Sequence, residues 1–196
     1  MRVGLSFSGP VEPVGETVSL LNYNVKWFTD AKKDNYSEVL DWIAETDADI
    51  LCFQEFYPSK NIASRIAEMG GYNLSMSKNN FHVAIFSKFP IVNDGLILSE
   101  EELNNIRFAD LKVKNDTIRV YSIHLESMGI NPDKIQDTEG LKAEYEDVSR
   151  RFVNASSYRT RQINTLFDHV EKTKYPVIIA GDFNDVPFSY NYFQFK

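Results

Sequence analysis

Apolar residues in this chain fall into short blocks that alternate between a strand-like and a helix-like period. Residues 18–25 are apolar and β-rich and read as a buried strand, with Asn22 and Asn24 interrupting its second half. Residues 37–46 carry Val39, Leu40, Ile43 and Ala44 at helical spacing, with Ser37 as the cap. Residues 49–55 form an apolar strand ending on Glu55, and residues 62–69 a short helix closed by Gly70-Gly71. Further strands are expected at 82–87, 107–113 and 117–124, the last two joined at Lys114-Asn115-Asp116 as a hairpin. Residues 132–173 are polar and helix-favouring. Leu141, Tyr145, Val148, Phe152, Ile163, Leu166 and Val170 make one apolar stripe there, and a break near Asn154-Ala155-Ser156-Ser157 predicts two helices. A last buried strand runs into Asp182. Strands that alternate with helices, several of them hydrophobic throughout, predict an α/β protein whose sheets are covered by helices.

Composition adds bounds. The chain has 196 residues, 43% hydrophobic and 25% charged, enough for a sizeable core in one domain. Its formal net charge of -7 argues against broad nonspecific binding of nucleic acid. It leaves phosphate chemistry open, because a bound divalent cation reverses the field of an acidic site. Cys52 is the only cysteine, so no disulfide forms within the chain, and its apolar setting marks it as a small core residue. No apolar run is long enough to span a bilayer, and the start of the chain lacks the pattern of a signal peptide. A cytoplasmic location is the default expectation, with an upstream membrane anchor left open.

The polar residues at the strand ends carry the chemistry. Val177-Ile178-Ile179-Ala180-Gly181-Asp182-Phe183-Asn184-Asp185 delivers a carboxylate and a carboxamide two residues apart, which on an extended chain share a face. An acceptor-only carboxylate beside an amide donor suits orienting a water while gripping a phosphoryl oxygen; the plain alternative is an Asx turn. Glu55 at a strand end suits a hard divalent cation, against a solvated charge. Asn24 is an oxygen donor beside such an ion or an amide bonded to backbone, and Asn22 shares its parity, so the choice between the two stays open here. His124, ending Val120-Tyr121-Ser122-Ile123, is a phosphate hydrogen-bond donor or general acid, or else a core histidine. Arg159, Arg161 and Gln162 read as a solvated helix face, with one arginine able to point toward the catalytic edge, and His169 as a surface residue.

In this order the four signals resemble the endonuclease/exonuclease/phosphatase superfamily, over residues 18–196. Asn-Tyr-Asn-Val at 22–25 is similar to its first strand motif, Gln54-Glu55 to its Gln-Glu motif, Ile123-His124-Leu125 to its His-Leu motif, and residues 181–185 to its Gly-Asp-Phe-Asn motif. The likeness is greatest to bacterial members. It implies a four-layer α/β fold of the α+β type, two packed mixed β-sheets flanked by helices, with residues 1–17 as an irregular lead-in. It further implies magnesium (or manganese) held by Glu55 with Asn24 nearby. His124, Asp182 and Asn184 would be the catalytic residues: His124 and Asn184 on the phosphate, Asp182 on the attacking water.

Two positions depart from the family pattern. Lys26 stands where some members carry an aspartate, and residues 185–196 hold no histidine to match the family's final Ser-Asp-His motif. The resemblance therefore predicts a domain incomplete at its C-terminus, lacking its last strands and inactive as it stands. The expected function is magnesium-dependent hydrolysis of a phosphate ester, as a phosphodiesterase, nuclease or phosphatase. The substrate would be nucleic acid, a lipid headgroup or a small phosphoester. The alternatives are a catalytically incomplete relative acting as a binding domain, and an α/β domain whose polar turns lie far apart. An unfinished sheet edge also predicts self-association.

Overall fold

The computed structural model describes residues 17–28, 36–57, 61–77, 82–129, 141–186, 189, 191 and 194–195. The lead-in expected over residues 1–16, and the part of the polar helical region at 132–140, lie outside the described residues, as do the side chains of Leu141 and Tyr145.

The elements are β1 (Leu20–Asn24), α1 (Tyr36–Thr46), β2 (Ile50–Gln54), α2 (Ile62–Gly70), β3 (Asn73–Ser75), β4 (Val83–Ser87), β5 (Ile91–Leu96), β6 (Ile106–Val113), β7 (Asp116–His124), α3 (Leu141–Val170) and β8 (Val177–Asp182). They build two mixed sheets of four strands, ordered β1-β2-β4-β3 and β5-β6-β7-β8. In the first, β1 runs parallel to β2, and in the second β7 runs parallel to β8, while the remaining pairs are antiparallel.

The period of two along each strand sorts side chains into layers. Leu51, Phe53, Ala84 and Phe86 pack outward against Leu40 and Ile43 of α1 and Ile62 and Ile66 of α2. Ile50, Cys52, Ile85, Ala109, Leu111 and Val120 fill the space between the sheets. Phe108, Tyr121 and Ile123 pack outward against Ile163 and Leu166 of α3. Helices, sheet, sheet and helix thus make four layers, as the family likeness implies. Burial pushes the Cys52 thiol up to about 12, so it stays protonated and serves as core.

Several expectations are corrected. The region expected to hold two helices carries a single α3 that runs through Asn154–Ser157 unbroken. Ala155 is buried there, and the small polar residues beside it are tolerated because the flanking turns are anchored on the sheet. Phe152, assigned to the apolar stripe, is half exposed. Ser37 lies inside the first turn of α1 rather than before it. Strands β3 and β5 went unforeseen because both are edges, short or polar, with Asn93, Asp94 and Gly95 in the middle of β5. His169 is half-buried rather than a surface residue, and its Nδ1 lies 2.8 Å from the Tyr121 hydroxyl.

Candidate active site

The parallel pairs decide where the chemistry lands. Because β1 runs with β2 and β7 with β8, four strands end at the same edge of the sandwich. Alternation then turns Asn22 and Asn24 of β1, Gln54 of β2, Ser122 and His124 of β7 and Asp182 of β8 into the layer between the sheets. At its inner part Gln54 Nε2 donates to Asn22 Oδ1 at 3.0 Å and to Ser122 Oγ at 3.1 Å. At its outer end Asn24 Nδ2 donates to Glu55 Oε1 at 3.1 Å and to Asp182 Oδ2 at 3.0 Å. Asn24 therefore faces the two carboxylates, while Asn22 braces Gln54 and lies 3.4 Å from the Gly181 carbonyl.

Glu55 follows the last inward residue of β2, so continued extended chain would turn it to the outer face. Its φ of 49° breaks the alternation and re-aims the carboxylate. A left-handed non-glycine residue costs about 1–2 kcal/mol, and such strain collects at functional sites. His124 Nε2 lies 3.7 Å from Glu55 Oε1. Burial holds the His124 pKa below the ordinary histidine value, outweighing the opposing pull of Asp182, Glu55 and Glu126. The imidazole is thus neutral at pH 7, and its approach to Glu55 compensates no charge. No Lys or Arg among the described residues forms an ion pair with Glu55 or Asp182.

Asp182 and Asn184 meet by a turn rather than by strand parity. Strand β8 ends at Asp182, Asn184 has a φ of 48°, and the Asn184 amide donates to Asp182 Oδ1 at 2.9 Å. The Asx turn is therefore present, and it fixes the carboxylate. Asn184 Nδ2 in turn donates to the Leu125 carbonyl at 2.7 Å, which ties it to the segment after His124. The Lys26 amide donates to Asn24 Oδ1 at 3.0 Å.

A cleft of about 890 Å³ opens beside this cluster, with Asn24, Asp182, Asn184, Met128, Phe152 and Arg159 among its lining. The solvated-face reading fails for Arg159 and Gln162, which are both buried, and holds for the exposed Arg161. Arg159 Nε donates to Asp185 Oδ2 at 3.2 Å and its Nη1 to the Glu126 carbonyl at 3.0 Å. Gln162 Oε1 accepts from the Glu126 amide at 2.9 Å. Helix α3 thereby holds both segments that leave the site, after His124 and after Asp182. The one sequence signal for this role was an arginine and a glutamine three residues apart, on the α3 face shared with Ile163 and Leu166.

Residues 21–196 match the model of the Endonuclease/Exonuclease/phosphatase family. Among solved structures, zebrafish (D. rerio) TDP2 humanized by 14 mutations is similar at 17% identity and a TM-score of 0.63, over 86% of this chain and 63% of that one. Zebrafish TDP2 complexed with a single-strand DNA product is similar at 16% identity and 0.62, over 86% and 61%. A β-hairpin deletion mutant of Staphylococcus aureus beta toxin is similar at 16% identity and 0.61, over 91% and 71%. The chain thus spans less than two thirds of the length of the TDP2 chains it resembles. No curated protein matches the sequence.

Proposed function

Since this chain is a member of the Endonuclease/Exonuclease/phosphatase family, we propose that its strand-end cluster hydrolyses a phosphodiester with magnesium. The observation that carries this reading is the meeting of Glu55 and Asp182, from different sheets, on the single amide nitrogen of Asn24, with neutral His124 alongside. Two carboxylates that no Lys or Arg among the described residues pairs with fit a divalent ion. Magnesium asks for only one or two carboxylates and keeps several waters. Glu55 is the residue that would hold the ion, with Asn24 Nδ2 steadying its carboxylate while Asn24 Oδ1 accepts from the Lys26 amide. When bound, it neutralises charge on the phosphoryl and leaving oxygens.

The geometry supports the remaining roles that the family likeness implies. Asp182, fixed by the Asn184 amide, accepts a hydrogen bond from the attacking water and orients it. Neutral His124 donates its N–H to a phosphate oxygen as charge builds there. Asn184 gives one amide hydrogen to Leu125 and has a second for the same purpose. A nucleotidyl diester is the favoured substrate, because one similar protein, zebrafish TDP2, was solved with a single-strand DNA product.

The test is hydrolysis of bis(p-nitrophenyl) phosphate by protein that includes the family's Ser-Asp-His segment, which residues 185–196 do not supply. Magnesium should support turnover and EDTA abolish it. Asp182→Ala and His124→Ala should each lower kcat by about 10²–10⁴-fold with the urea midpoint little changed. Wild-type rates in either variant, or indifference to EDTA, would overturn the reading. Saturable binding of the ester without turnover would favour a binding domain instead.

A further inference from the structure

Beside the phosphate end of the site the chain makes an unusual turn. Lys26, Trp27 and Phe28 all have left-handed backbone, with φ of 45°, 57° and 54°. Left-handed backbone is unfavourable for a residue other than glycine. The turn buries Phe28 and leaves the Trp27 indole 37% exposed. It is also pinned to the site, since the Trp27 amide donates to the Glu55 carbonyl at 2.9 Å. Two residues past Glu55, the Tyr57 ring is 45% exposed. Its centroid lies 6.3 Å from that of Trp27, with the planes tilted by 59°. His82 packs edge-on to Trp27 at 4.8 Å and 89°, and its own carbonyl accepts from the Phe56 amide at 3.2 Å. The Trp27 amide and the His82 carbonyl bond to Glu55 and Phe56 respectively, which places the group of rings beside the catalytic cluster.

We propose that Trp27 and Tyr57 form a stacking subsite for a planar nucleobase whose attached phosphate occupies the Glu55–His124–Asp182 cluster. This rests on the phosphodiesterase reading above and names the part of the substrate that the cluster itself does not touch. Ring centroids 6.3 Å apart and planes tilted by 59° let a base stack on one ring and meet the edge of the other. With a net charge of -7, general attraction for a phosphate backbone is small, and a nucleotidyl ligand must gain affinity from another contact. Base stacking supplies it and tolerates any base.

The chain has two tryptophans, so Trp42→Phe leaves Trp27 as the only indole. In that background, with magnesium present, Trp27 fluorescence is titrated with AMP, ribose 5-phosphate and tetramethylammonium, and affinities for the two phosphates are checked by calorimetry. AMP should quench saturably and bind about ten- to a hundredfold more tightly than ribose 5-phosphate. Trp27→Ala should erase that preference while ribose 5-phosphate binds as before, and Trp27→Tyr should restore most of it. Tyr57→Ala, on a residue with no strained backbone, should reduce it independently. Equal affinities for AMP and ribose 5-phosphate, or a preference that survives both alanine variants, would overturn the subsite and leave the phosphodiesterase reading standing. Quenching by tetramethylammonium alone would replace it with a cation site. If neither phosphate binds, both readings fall.

Discussion

Gly181 shows how little room the site has at the scale of one residue. It pairs with Ile123 across β7 and β8, has a φ of +154°, and a Cβ there would sit 2.1 Å from the Ile123 carbonyl oxygen. Backbone, not a flexible side chain, is in the way. Gly181→Ala should therefore cost at least about 2 kcal/mol, read as a lower urea midpoint at unchanged slope. His169 carries a second residue-level consequence. Burial, followed by Arg119 and Lys172, holds its pKa below the ordinary 6.5. The unfolded chain thus takes up a proton that the native one refuses. The stability due to His169 is full above the ordinary value and is lost as pH falls below it toward the folded value. Urea midpoints at pH 7.5 and 5.5 should differ less in His169→Gln than in the wild type. Much of this layer was legible beforehand. Asn24, Glu55, His124 and Asp182 stand out in the sequence as polar residues ending apolar runs. The choice of Asn24 over Asn22 was not, because both share a face, and only the approach of the second sheet separates them.

At the scale of the element, α3 is less a cover than a brace. Arg159 is 1% exposed, and its charge is matched by Asp185, itself held by Asn191 Nδ2 at 3.0 Å. Arg159→Leu leaves that carboxylate buried without its partner, at a cost of about 3–5 kcal/mol in thermal or urea unfolding. Adding Asp185→Asn should recover part of the loss, as a double-mutant cycle would show. The periodic stripe along α3 was readable, since Ile163 and Leu166 do face the sheet. Its continuity was not, because Asn154-Ala155-Ser156-Ser157 looks like a break until packing on either side is known. The same limit hid β3 and β5. Edge strands need one hydrogen-bonded neighbour and no apolar face of their own, so their sequences carry little period.

Across the whole molecule, polar links join the two sheets at both rims. At the β3 and β5 rim a buried Arg107 donates to Ser75 Oγ and Asp94 Oδ2, each at 2.9 Å, bridging one sheet to the other. At the opposite rim, β1 and β8 are both edge strands, and the polar links across them are those of Asn22 and Asn24. Hydrogen exchange should find the amides of β1 and β8 less protected than those of β6 and β7. Opening of these two edge strands would part Asn24 from Asp182 without unfolding the core, so the proposed hydrolysis should be lost on warming before the fold is.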